Sequence, residues 1–151
     1  MAWVRLPWCA RRTGEGAIIS GVTATPPPAA PSRTVASRIH ADRGARTLDI
    51  IWQDGHTTRY DFSALRWLCP CAHCRGEAGQ PGWLDTNPTL TDEQTRMVDI
   101  HLVGNYAVAP EWADGHHTGY YTFTLLRDRC PCDICVAERT AAHRHHEEHA
   151  R

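Results

Sequence analysis

The chain has 151 residues, a formal net charge of −1 and no lysine, which allows one domain with a modest core. Residues 1–46 carry seven arginines against Glu15 and Asp42, while residues 47–151 carry nine arginines against fifteen acids. An acidic folded part argues against a nucleic-acid-binding core, and no run is long and apolar enough to be read as a membrane span.

In chain order, residues 1–45 come first, with Pro26-Pro27-Pro28, Pro31 and many small residues but no period. This composition predicts a disordered arm. Arg5, Arg11 and Arg12 precede only a mildly apolar stretch, so the arm is not read as an export signal and a cytoplasmic location is expected. Cys9 and the triplet His40-Ala41-Asp42 fall within the arm and are assigned no role.

The folded domain is expected over residues 46–136. Leu48, Ile50 and Trp52 alternate with neighbours, Asp54-Gly55 follows, and Thr58, Tyr60 and Phe62 alternate again. Two alternating runs around an Asp-Gly predict a β-hairpin, with His56 at its tip. A short helical turn is expected over Ser63–Leu68, with Ser63 as its N-cap and Leu65 and Leu68 facing the hairpin. It delivers Cys69, Cys71 and Cys74. A long loop rich in glycine and proline is expected over residues 75–96, then a strand over Met97–Val103.

The pattern then returns. Trp112, Asp114-Gly115-His116, Thr118 and Tyr120 repeat Trp52, Asp54-Gly55-His56, Thr58 and Tyr60. After one inserted residue, Phe123, Leu126 and Arg127 repeat Phe62, Leu65 and Arg66, and Cys130, Cys132 and Cys135 repeat the first triplet at an offset of 61. A second hairpin and helical turn are expected, the strand less regular because Pro110 cannot donate to a ladder. Residues 137–151 are expected to form a helical tail with His143, His145, His146 and His149; His145 and His149 are four apart, but a solvated helix accounts for them. The predicted class is α+β: two pseudo-repeated hairpins with short helices carrying cysteine triplets, between a disordered arm and a histidine-rich tail.

Six of the seven cysteines form the two triplets. Spacing this close is awkward for disulfides and natural for chelation, so reduced thiols are expected, with metal-free thiols or disulfides as the alternatives. Each triplet puts three sulfurs on one turn, and tetrahedral closure needs a fourth ligand from elsewhere. A hairpin-tip histidine can supply it. Asp54 and Asp114 are read as turn residues, and Trp52 and Trp112 as core. His73 is read as a surface residue, with a substitute ligand as the alternative, and His117 as weaker than His116 because neighbours on a strand point apart.

The stretches L-R-W-L-C-P-C-A-H-C-R-G-E at 65–77, V-G-N-Y-A-V at 103–108 and W-A-D-G-H-H-T-G-Y-Y-T-F at 112–123 resemble the domain of unknown function 971 family, similar to the N-terminal domain of gamma-butyrobetaine hydroxylase. The resemblance implies a zinc site formed by Cys69, Cys71, Cys74 and His116. If the two copies are related by a pseudo-two-fold axis, the same operation pairs Cys130, Cys132 and Cys135 with His56. A local pairing within each copy, or a second site that takes a tail histidine such as His143 or stays empty, remains open. The hydroxylase reaction belongs to a separate jelly-roll domain, so the resemblance brings no catalysis.

The expected function is therefore a non-catalytic metal-binding accessory protein holding zinc. The alternative is an accessory protein of iron–sulfur cluster assembly or transport, with iron or a cluster at the cysteines. No enzyme activity is expected. A partner, where there is one, would be another protein or a second copy of the chain, not nucleic acid or membrane. No small-molecule substrate is legible.

Overall fold

The computed structural model describes residues 31–86 and 89–149, the last three by backbone alone. Cys9 and most of the expected arm lie outside these residues. β1 (Ala36–Asp42), β2 (Thr47–Trp52) and β3 (Thr57–Asp61) form one antiparallel sheet in that order. β4 (Met97–Val103), β5 (Ala107–Trp112) and β6 (Tyr121–Thr122) form the other.

The hairpins form for the reasons their sequences give. Leu48, Ile50 and Trp52 point one way from β2 and are buried, as are Thr58 and Tyr60 from β3. At the turns, Gly55 and Gly115 take φ of 84° and 85°, which a side chain would resist. Trp52 N–H donates to the His56 carbonyl and Trp112 N–H to that of His116, both at 2.9 Å.

Each sheet is wider than the predicted hairpin. β1 pairs with β2, so the arm ends before the expected boundary at 45, and His40-Ala41-Asp42 lies in a strand, His40 opposite Asp49. The matching strand in the other sheet is β4. Both break register at the same place, between Ala36 and Arg38 and between Met97 and Asp99. Removing residues 1–44 therefore strips β1 from the edge of β2 and uncovers the Ile39 face. We expect the thermal midpoint to fall by at least about 5 °C, corresponding to about 1 kcal/mol in a domain of this size. An unchanged midpoint in differential scanning calorimetry would mean that β1 contributes nothing.

Pro110 lies inside β5, opposite Ile100, where its missing N–H costs β4 nothing visible in register. β6 pairs only through Ala107–Thr122 and Val108–Tyr121, whereas β3 pairs with β2 over five positions.

Each sheet runs straight into a helix. α1 (Phe62–Trp67) starts at Asp61, whose side chain accepts from Ala64 N–H at 2.8 Å; Asp61, not Ser63, is the N-cap. The helix after β6, Phe123–Asp128, is capped by Thr122, which accepts from Leu125 N–H at 3.1 Å. A single-turn helix, α2 (Ala72–Arg75), leads into the expected loop over 75–96, which holds two more: α3 (Trp83–Thr86) and α4 (Asp92–Thr95). Leu84 plugs the core from α3, and a Thr91–Gln94 capping box starts α4. With these counted, Phe123–Asp128 is α5, and α6 spans Asp133–His149.

The core lies between the two halves. Trp52 meets Phe123 edge-on, and Phe62 meets Trp112 edge-on, both with ring centroids 6.2 Å apart. Tyr60 donates its hydroxyl proton to the Leu126 carbonyl. Every one of these contacts joins an element before residue 70 to one after residue 110. Each helix thus leaves its cysteines beside the hairpin tip of the opposite half.

Candidate metal centres

The first cluster gathers Cys69, Cys71, Cys74 and His116, their donor atoms all within 4.8 Å of one another. His116 Nε2 lies 3.3, 3.6 and 3.8 Å from the sulfurs of Cys69, Cys71 and Cys74, and Cys69 and Cys71 Sγ are 3.6 Å apart. The second gathers Cys130, Cys132, Cys135 and His56 within the same limit. His56 Nε2 lies 3.2, 3.8 and 3.8 Å from the three sulfurs in that order. All six cysteines are free thiols. The histidine of each cluster comes from the opposite half, which is the crossed pairing rather than the local one.

These separations suit one ion per cluster. Tetrahedral zinc holds sulfur at about 2.3 Å and nitrogen at about 2.0 Å, which spaces the ligand atoms about 3.5–3.8 Å apart. A disulfide would bring two sulfurs to about 2.0 Å.

Local structure explains the convergence. Cys71 caps α2, its sulfur accepting from Cys74 N–H at 3.4 Å, and Cys132 Sγ accepts from Cys135 N–H at 3.5 Å. These bonds bend each triplet so that all three sulfurs face inward. At the tips, Asp54 and Asp114 each accept from the histidine two residues on, at 3.0 Å, and this fixes where the imidazoles start. Thr58 donates to Cys130 Sγ at 3.3 Å while accepting from the Trp52 indole at 2.8 Å.

Burial and charge set the protonation of the donor atoms. Burial pushes the Cys69 thiol up to about 12 and also raises Cys74 and Cys135. A dication would reverse that penalty by stabilising the thiolates. Burial opposes ionisation of Cys71 too, but hydrogen bonds from the Cys74 backbone and the Thr118 hydroxyl hold it below its ordinary value. Burial, then the Arg66 charge, lowers His116, which favours the neutral imidazole a metal needs.

The remaining sequence candidates fall outside both clusters. His73 is exposed and stacks on Trp83, with ring centroids 6.4 Å apart. His117 is exposed, its Nδ1 bonded to the Gly115 carbonyl. His143, His145 and His146 lie exposed along α6, and the side chain of His149 is outside the described residues.

Sequence reasoning missed three positions. Arg66 and Arg127 are buried and touch the third cysteine of their own triplets. Their recurrence eight residues before Cys74 and Cys135 was the available signal. Gly119 is the third: a Cβ there would stand 2.8 Å from Cys69 Sγ, so the first site needs a residue without a side chain at this point.

Two three-stranded sheets, short helices and paired Cys/His clusters define a small α+β domain able to hold metal ions. The chain belongs to the gamma-butyrobetaine hydroxylase-like N-terminal family, whose model matches residues 39–127. The second triplet, at 130–135, lies just past that match. Among solved structures, a protein of unknown function of the domain of unknown function 971 family, from Acidithiobacillus ferrooxidans, is 33% identical, with 63% of this chain and 91% of that one covered and a TM-score of 0.45. An NMR solution structure is 26% identical, with 82% and 87% covered and a TM-score of 0.49. No curated protein matches the chain.

Proposed function

We propose that the chain is a non-catalytic metal-binding accessory domain whose two Cys3His centres hold zinc as structural staples. The supporting observation is the crossed geometry: in each cluster, three sulfurs from one half and one imidazole from the other lie within 4.8 Å. Four protein ligands complete a tetrahedral zinc ion and leave no position for a reacting water, which is the pattern of structural rather than catalytic sites. A thin core held together across two halves is where such a staple contributes most. The halves are read as copies of one unit, supported by the matching bulges, caps and turns described above. Six reduced cysteines fit the cytoplasm, and a partner would be another protein or a second copy of the chain.

Visible absorption tests the occupant. Protein purified anaerobically should be colourless and contain zinc, and replacing zinc with cobalt should produce the intense visible bands of tetrahedral thiolate coordination. A brown preparation with iron and inorganic sulfide would instead favour a role in handling iron–sulfur clusters.

A further inference from the structure

Arg66 and Arg127 are 2% and 8% exposed, unusual for arginine, and each has a buried Nε with no hydrogen-bond partner. Burying a guanidinium is costly unless its other nitrogens find strong acceptors. Here they find the same two in each half. Arg66 Nη1 donates to Cys74 Sγ at 3.1 Å, and Nη2 lies 3.7 Å from Asp114 Oδ2. Arg127 Nη1 donates to Cys135 Sγ at 3.2 Å, and Nη2 to Asp54 Oδ2 at 3.2 Å. The other oxygen of each aspartate holds the backbone of His116 or His56. One arm of each arginine therefore grips the third sulfur of its own triplet, and the other reaches the turn that carries the crossed histidine.

We propose that Arg66 and Arg127 are positioning residues of the two centres, each locking the sulfurs of one half in register with the imidazole of the other and offsetting the charge of the loaded site. This rests on the reading of the clusters as metal centres. Three thiolates and a neutral imidazole around a dication leave one negative charge, and a buried guanidinium beside it is then stabilised. A planar fork with two donors suits the task better than the single point of an ammonium.

The test measures zinc affinity by competition with a chromophoric chelator, then maps the released cysteines by alkylation and mass spectrometry. Arg66→Met keeps most of the volume but removes the charge and the fork. It should weaken one of the two zinc ions by about 10–100-fold, the usual cost of losing an outer-shell partner. The newly alkylated cysteines should be Cys69, Cys71 and Cys74, with the second triplet still protected. Arg127→Met should give the mirror result, and Arg66→Lys should recover part of the affinity. In the cobalt-loaded protein, Arg66→Met should also shift the sulfur-to-metal charge-transfer band, which a residue that merely fills space would leave in place. Where Arg66→Met does not fold, Asp114→Asn keeps the arginine and should still weaken the first site selectively. Variants that bind both zinc ions within threefold of the parent, or lose both equally, would overturn the proposal while leaving the metal reading intact. A parent chain that binds no zinc would remove both.

Discussion

Stripping the metal from the folded chain with a strong chelator should abolish its cooperative thermal transition. Among the described residues the buried cluster comprises fifteen, and Cys69 and Cys74 are among them. A small domain has a margin of about 5–15 kcal/mol. Structural zinc contributes an apparent 10–16 kcal/mol, roughly, in zinc-finger peptides at neutral pH, and that binding energy is largely folding energy. Both centres bridge the same two halves. Their loss leaves that junction to the shared core, with its two edge-on aromatic pairs and the Tyr60 hydrogen bond, and to ion pairs such as Arg127–Asp54. Circular dichroism with temperature, before and after chelation, should show a sharp transition replaced by a broad slope, and zinc should restore it. A chelated protein that melts at the original temperature would show that the clusters do not hold the fold.

His116→Ala should deprotect Cys69, Cys71 and Cys74, although His116 lies more than forty residues from them in sequence. The ring contacts all three sulfurs of that triplet within 3.8 Å, so its removal opens the fourth ligand position. Loss of a direct ligand should weaken zinc binding by more than the about 10–100-fold expected for an outer-shell partner. His56→Ala should do the same to Cys130, Cys132 and Cys135. His117→Ala should change neither, because that ring bonds to the Gly115 carbonyl beside it and belongs to neither cluster. Alkylation mapping of the three variants separates the crossed arrangement from a local one. A local arrangement would have His116→Ala release the second triplet.

The first hairpin was legible because its Asp-Gly turn and period-two alternation are local signals. In the second the turn was legible, but Thr118 and Tyr120 are exposed, Tyr121 is the buried residue, and the return strand is only Tyr121–Thr122. β1 was not legible. Its inward residues Ile39 and Ala41 are only partly buried, so an edge strand left a weak pattern in a stretch dominated by small residues. The offset that relates the cysteine triplets also relates Arg38 to Asp99, so the predicted strand at Met97–Val103 could have revealed its counterpart. The short helices of residues 72–95 escaped because four residues do not display a helical period.

The site divides in the same way. Cysteine spacing alone indicates a chelating triplet, and the histidine after each turn glycine is a natural fourth ligand. Residues alone left the pairing open, and the crossed choice came from the family resemblance. Packing supplies the physical reason: Trp52 on Phe123 and Phe62 on Trp112 set each helix beside the opposite tip. Arg66 and Arg127 look like surface residues in sequence. Only tertiary structure brings the sulfur and carboxylate that make their burial tolerable.

The mass of the intact folded chain under native electrospray conditions tests the central claim most directly. The account predicts an added mass of two zinc ions per chain, less the protons displaced from the thiols, with all six clustered cysteines protected from alkylation until the metal is removed. A chain that flies at its bare polypeptide mass after reducing, anaerobic purification, with those six cysteines freely reactive, would contradict it.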